Sequence, residues 1–211
     1  KFKEDDHKLV KWYETTLKNI GVDIHFSQEI KAEDVNGYDA VIIATGSQPK
    51  TFSLGDDRST YTAAQVLVGE KQAGKRTAII GGGLVGCELA LWLRGMGTEV
   101  TIVEALSKLL AVNGPLCHAN SEMLEKLIPY QGITVITGTT AKEYRDGQLS
   151  LENGTKLQCD SVILAVGYRE NSQLYGLLEP TVPEIYRIGD ARKVSNIMYA
   201  LWDAFEVASS M

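Results

Sequence analysis

Four glycines and one glutamate carry the densest chemical signal in this 211-residue chain. Gly81, Gly82, Gly83 and Gly86 stand in the run Thr77-Ala78-Ile79-Ile80-Gly81-Gly82-Gly83-Leu84-Val85-Gly86-Cys87-Glu88. Gly81, Gly83 and Gly86 fill the three glycine positions of the dinucleotide fingerprint, with Gly82, Leu84 and Val85 completing the loop. That spacing serves one kind of chemistry: holding a pyrophosphate on free N–H groups at the positive end of a helix. Gly81 allows a sharp turn, Gly83 lets a phosphate approach the backbone, and Gly86 lets the helix lie close to the strand. Glu104 follows Gly81 by 23 residues, near the ~20 expected of an acid that binds the adenosine ribose. A carboxylate there accepts hydrogen bonds from two hydroxyls of NADH and repels the additional phosphate of NADPH. The alternative is an ordinary strand–helix–strand unit with a solvated Glu104.

The elements that must position these groups are readable around them. Four apolar or small residues lead into Gly81, as in a parallel strand buried on both faces. Leu84, Val85, Leu89, Trp92, Leu93 and Met96 form an apolar stripe at helical spacing, closed by Gly95 and Gly97. A second strand, Glu99 to Val103, ends on Glu104. A helix over about Ala119 to Ile128 and a third strand over Ile133 to Thr137 follow a loop through Pro115. Asp146-Gly147 and Asn153-Gly154 signal two hairpins, hence a three-stranded antiparallel meander. Asp160 to Gly167 returns as a buried strand.

The flanks have a different pattern. Lys1 to Ile20 reads as an amphipathic helix with Leu9, Val10, Tyr13, Leu17 and Ile20 on one face and Gly21 as its stop. Val22 to Phe26 alternates as a short strand, and Tyr38 to Gly46 reads as a buried strand running into a glycine turn. A short helix is expected over about Thr62 to Val68. Near the end, Ile185 to Asp190 precedes a helix over about Asn196 to Ala208, with Ile197, Ala200, Leu201, Ala204 and Val207 as its apolar face. The expected organisation is a partial FAD-type segment over 1–50, a connector over 51–75, a dinucleotide-binding unit over 76–167 and a returning FAD-type segment over 168–211.

Composition excludes several classes. The chain is 44% hydrophobic, with a formal charge of -6 and no basic run, so neither nucleic acid nor an anionic membrane is the expected partner. No apolar stretch reaches the ~18 residues of a membrane span, and no signal-peptide pattern opens the chain. The three cysteines, Cys87, Cys117 and Cys159, include no Cys-x-x-Cys, so neither a zinc knuckle nor a redox pair is offered. This usage fits a reducing cytoplasm. His7, His25 and His118 are scattered, and no catalytic side chain or metal ligand is assigned.

Taken together, Ala44-Thr45-Gly46, the Gly81 to Glu88 loop, Ala165-Val166-Gly167 and Ile188-Gly189-Asp190 resemble the pyridine-nucleotide–disulfide reductase superfamily. The wording of the glycine loop, followed by Val-Thr-Ile-Val-Glu, is similar to the C-terminal part of bacterial 2,4-dienoyl-CoA reductases and 2-enoate reductase-like NADH:flavin oxidoreductases. The resemblance implies an α/β fold in which a Rossmann-like NAD-binding domain, a parallel sheet plus the meander, is inserted in a truncated FAD-type domain. It implies that Gly81, Gly83 and Gly86 hold the NAD pyrophosphate and Glu104 the ribose. Gly167 would lie by the nicotinamide, and Glu88 toward the nicotinamide–flavin junction. Thr45 and Gly46 would close on FAD, and Gly189 and Asp190 would meet its ribitol or phosphate. Glu88 and Asp190 also fit plainer roles, as a dipole-stabilising residue and a turn residue.

The first glycine fingerprint for FAD, an FMN-bearing barrel and an iron–sulfur cysteine cluster would precede Lys1. The expected function is therefore an NADH-binding module that passes hydride to FAD within a larger enzyme reducing an enoate or dienoyl-CoA-like substrate. The partners expected are the nicotinamide dinucleotide and the N-terminal domains of the same polypeptide. Two alternatives stay open: a piece of a disulfide or peroxide reductase, and a nucleotide-sensing module without turnover.

Overall fold

The computed structural model describes residues 4–111 and 117–211. The first three residues of the expected N-terminal helix and the end of the loop through Pro115 lie outside the described residues. The chain divides into two units, Lys1–Asp39 and Ala40–Met211.

In the first unit, helix α1 spans Glu4–Asn19, with Glu4, Asp5 and Asp6 in its first turn and Lys18 in its last. Each charge has the sign that the helix dipole favours. Gly21 reverses the chain at φ 80°, and Val22 N–H donates to Leu17 O at 3.0 Å, a closure typical of helix C-termini. The expected strand over 22–26 does not form. Val22 and Phe26 are 45% and 72% exposed, and no described strand pairs with this run. Alternation makes a surface suited to pairing, but a strand exists only with a partner's ladder. The apolar face expected on α1 has no buried residue.

The second unit runs through β1 (Val41–Ile43), β2 (Ser47–Pro49), β3 (Thr60–Thr62) and α2 (Ala63–Leu67) into β4 (Arg76–Ile80). Then come α3 (Leu84–Gly95), β5 (Glu99–Glu104), α4 (His118–Tyr130) and β6 (Thr134–Thr137). Strands β7 (Ala141–Arg145), β8 (Gln148–Leu151) and β9 (Lys156–Gln158) form the three-stranded antiparallel meander. The chain closes with β10 (Ser161–Leu164), β11 (Tyr168–Glu170), α5 (Gln173–Leu178), β12 (Ile185–Arg187) and α6 (Ile197–Ser210).

A five-stranded parallel sheet in the order β3-β10-β4-β5-β6 organises this unit. Its two faces take alternate residues of each strand. Ile79, Val100, Ile102 and Ile163 pack with Leu89, Leu93, Leu124 and Ile128 from α3 and α4. Ala78, Ile80, Val103, Val162 and Leu164 pack with Tyr144, Leu149 and Leu151 from the meander. Both faces are therefore dry, which explains why β4 and β10 read as unbroken apolar runs. Thr62 caps α2: its hydroxyl accepts from Gln65 N–H at 3.2 Å, and Gln65 Oε1 accepts from Thr62 N–H at 3.0 Å. This reciprocal pair is a capping box.

Three expectations change here. The strand expected over 38–46 is confined to Val41–Ile43, which pairs parallel with β12. Beyond it, β2 pairs antiparallel with β11, a ribbon too short to leave a periodic signal. Strand β3 joins the five-stranded sheet, although its residues lie in the 51–75 stretch read as a connector. Helix α6 forms, with the Asn196 side chain accepting from Tyr199 N–H at 3.2 Å as N-cap, but its expected inner face is not buried. Ile197 and Leu201 are 60% and 47% exposed. The reason is that α6 meets the turn Gly189–Ala191 through small and polar groups. A side chain at Gly189 would lie 3.3 Å from the Ala200 methyl, and Asp203 accepts from Gly189 N–H at 3.1 Å and from Arg192 at 2.9 Å.

Candidate functional site

The sheet changes direction between β4 and β10. From β4 the chain steps to β5 and β6, then returns through the meander to β10 on the other side of β4. Loops leaving the C-terminal ends of these two strands diverge, and such a switch point leaves a crevice. A cavity of about 540 Å³ lies there.

The glycine turn forms one wall. Gly81 has φ 107°, in the left-handed region that side chains avoid, and a Cβ there would overlap Ala165 O. A Cβ at Gly86 would overlap Gly81 O, so the third fingerprint glycine is needed where α3 crosses its own turn. Gly83, Leu84 and Val85 line the cavity, with Gly83 as the N-cap of α3. The first N–H groups of a helix have no acceptor within it, so this wall offers donors to an anion.

Glu104 lines the cavity at the end of β5. Its Oε2 accepts from Gly82 N–H at 2.5 Å and its Oε1 from Leu106 N–H at 2.7 Å. Ala165, Val166, Gly167 and Tyr168 form the wall beyond β10. Of the residues expected at the dinucleotide, Gly81, Gly83, Leu84, Val85, Glu104 and Gly167 meet at one cavity. Gly82 faces Glu104 and Leu109 instead. Glu88 lies outside the lining; its Oε1 accepts from Asn120 of α4 at 3.3 Å.

A second cavity, of about 390 Å³, gathers Gly46, Gly189 and Asp190 with Ala44, Ile188, Asn196 and Ala200. Asp190 Oδ2 accepts from Ser47 Oγ at 2.9 Å and Oδ1 from Ser195 N–H at 3.0 Å. The carboxylate ties β2 to the turn before α6 and keeps further lone pairs for a ligand. Thr45 is not in the lining, and its hydroxyl donates to Asn171 O. Ser195 borders both cavities.

Sequence reasoning misses several wall residues. Phe52, Thr139, Thr140 and Ser195 line the dinucleotide cavity. Thr139 and Thr140 follow Gly138 at the end of β6, a strand-to-glycine ending like Ile80-Gly81, and that was the available signal. Phe52 and Ser195 arrive through long-range folding and leave none.

The two buried cysteines, Cys87 and Cys159, are not poised for redox work. Burial pushes the Cys87 thiol up to about 12, helped by the nearby charges of Glu104 and Glu88, and its Sγ–H donates to Gly82 O at 3.4 Å. Burial raises Cys159 to about 11. A reactive thiolate needs the opposite environment.

A crevice at a switch point of an α/β sheet, walled by a glycine turn, a helix start and an acid, is the arrangement expected where a dinucleotide binds. Residues 4–204 match the family described as pyridine nucleotide-disulphide oxidoreductase, and the chain belongs to that family. Over its whole length it is 44% identical to the cinnamate reductase of Clostridium sporogenes, spanning 32% of that protein. It is 31% identical to an NADH oxidase of Thermoanaerobacter brockii, over 93% of this chain and 32% of that protein. A solved 2-naphthoyl-CoA reductase complex shares the fold, with a TM-score of 0.87 over 99% of this chain and 32% of that chain, at 22% identity. The chain thus spans about a third of the length of these relatives.

Proposed function

We propose that this chain is the NADH-binding module of a multicofactor flavin oxidoreductase. The observation that carries the reading is the convergence of Gly81, Gly83, the start of α3, Glu104 and Gly167 on one cavity. The residues fit the dinucleotide. Gly83 and the first turn of α3 receive its pyrophosphate, Glu104 its adenosine ribose, and the turn at Gly167 the nicotinamide half. Held there, NADH supplies a hydride to a flavin.

The flavin side fits the second cavity. Gly46, Gly189 and Asp190 present backbone and a carboxylate to FAD, and Ser195 stands between the two compartments. Glu88, bonded to Asn120, steadies α3 against α4. The domain reading is then FAD-type segments over 1–50 and 168–211 and a dinucleotide unit over 76–167, with β3 of the intervening 51–75 stretch added to the sheet of that unit. The likeness to a cinnamate reductase supports an α,β-unsaturated acid or thioester as the substrate of the whole enzyme, and FMN and an iron–sulfur cluster are proposed for parts of that enzyme outside this match. Free thiols at Cys87, Cys117 and Cys159 fit a cytoplasmic setting.

The test is coenzyme choice. Two unit charges ~4 Å apart repel by about 4 kcal/mol at an effective dielectric of ~20, and about 1.4 kcal/mol already separates affinities tenfold. Calorimetric titration of both nucleotides should show NADH bound at least about tenfold more tightly than NADPH, with the gap narrowing in Glu104→Ala. Tighter NADPH binding by the unmutated chain would overturn the assignment of Glu104.

A further inference from the structure

The fingerprint treats the position between its first two glycines as free, yet here that position is closed. Gly82 is not among the left-handed residues, so its backbone does not demand glycine. Its surroundings do. A Cβ on Gly82 would overlap Leu109 Cδ2 and would lie 3.2 Å from both Cβ and Oε2 of Glu104. Such approaches force the neighbours to give way.

The backbone that carries them is itself fixed, although the Leu109 methyl, at the far end of a flexible side chain, gives way at small cost. Leu110 N–H donates to Gly82 O at 2.9 Å, and Gly138 N–H donates to Leu106 O at 2.9 Å. The loop after β5 is therefore tied at one end to the glycine turn and at the other to the end of β6. Glu104 is held within it by Gly82 N–H and Leu106 N–H. A carboxylate has about four acceptor positions. Two serve these backbone donors, one on each oxygen, and two remain. That number matches the two ribose hydroxyls of the ligand proposed above.

We infer that Gly82 is a positioning residue for coenzyme specificity, orienting the Glu104 carboxylate before the dinucleotide arrives. The inference rests on the NADH reading of the crevice and adds its mechanism. The cost of orienting an acceptor is met in folding, so binding keeps more of the interaction. The small side of Gly82 lets Leu109 close over the turn and brings its N–H within reach of the acid.

The experiment titrates NADH and NADPH into the unmutated chain, Gly82→Ala and Gly82→Ala/Leu109→Ala. A hydrogen bond to a charged group is worth enough to change affinity about tenfold. Gly82→Ala is expected to weaken NADH by about that factor, to change NADPH little, and so to narrow the preference. Removing the Leu109 side chain relieves its overlap with the new methyl but not the contact with Glu104, so it should restore part of the loss. In the nucleotide-free, unmutated chain, the Gly82 and Leu106 amides should exchange slowly with solvent. That measurement stands even where Gly82→Ala folds poorly. Unchanged affinities in Gly82→Ala, equal weakening of both nucleotides without rescue, or rapid exchange at these amides would overturn the inference while the NADH reading stands. Failure of the unmutated chain to bind NADH would overturn the reading itself.

Discussion

The two ends of the five-stranded sheet use the same kinds of residues for opposite purposes. At the N-terminal end polar side chains are spent on one another. Asp160 accepts from Arg76 N–H at 2.9 Å and from Arg76 Nη2 at 2.8 Å, joining the starts of β4 and β10. Ser161 Oγ accepts from Gly74 N–H at 2.9 Å and shares a hydrogen bond with Thr77 Oγ1 at 3.0 Å. Thr77 Oγ1 also donates to Gly74 O at 3.0 Å. Such closed networks fix strand register and leave little for a ligand.

At the C-terminal end β4 and β6 stop on Gly81 and Gly138, β10 runs on to Gly167, and the polar groups stay open to the cavity. Among the described residues that line the cavity, the carboxylate is that of Glu104, and it is anchored by backbone N–H groups. An arginine at Glu104 would satisfy the acid and remove it from recognition. Backbone donors orient it and leave half of its acceptor capacity. One sheet thus divides into an end that stabilises and an end that, in the proposed reading, binds, as parallel α/β sheets generally do.

The largest expected effect breaks the binding end alone. In Gly83→Val the new side chain enters the space where a pyrophosphate meets the start of α3. NADH affinity should fall at least about a hundredfold, since donors that contact a charged group are each worth about tenfold or more. Circular dichroism should stay unchanged, because Gly83 has an ordinary backbone, at φ -76°. Unaltered affinity with an intact fold would remove the glycine turn from the binding end.

The smallest effect sharpens the contrast from the other side. The Arg76 guanidinium, hydrogen-bonded to Asp160, holds that carboxyl below its ordinary range. A group with a lowered folded pKa adds stability above its unfolded pKa and loses it as pH falls through the folded value. Asp160→Asn should therefore lower the melting temperature slightly near neutrality, as expected of a solvent-accessible pair. The difference from the unmutated chain should vanish as the pH drops below the usual carboxylate range. NADH affinity should not change. A loss of affinity in Asp160→Asn would mean that the two ends are coupled.

The contrast also explains what the sequence discloses. Strand β4, the glycine turn, α3, β5 and Glu104 are readable in order because a strand dry on both faces is an unbroken apolar run, and because glycine spacing reflects sterics at the turn. The meander is readable from Asp146-Gly147 and Asn153-Gly154, whose φ values of 50° and 75° at Asp146 and Gly147 are those a tight hairpin needs. The ribbon of β2 and β11 has three residues on each side, too few for a pattern. Positions 22–26 have the pattern and no partner strand among the described residues. At the site, Gly81, Gly83 and Glu104 are readable because they act through local geometry. Thr139, Thr140, Phe52 and Ser195 reach the cavity only through the tertiary path of the chain. The constraint on Gly82 is hidden for the same reason, since Leu109 closes on it from a loop the fingerprint does not include.

Backbone hydrogen exchange with and without saturating NADH tests the central claim most directly. The account predicts slower exchange on binding at Gly83, Leu84 and Val85 and at the ends of β6 and β10, with Gly74, Arg76 and Ser161 unaffected. Protection confined to the Gly74–Arg76–Ser161 end, or no protection at the glycine turn, would contradict it.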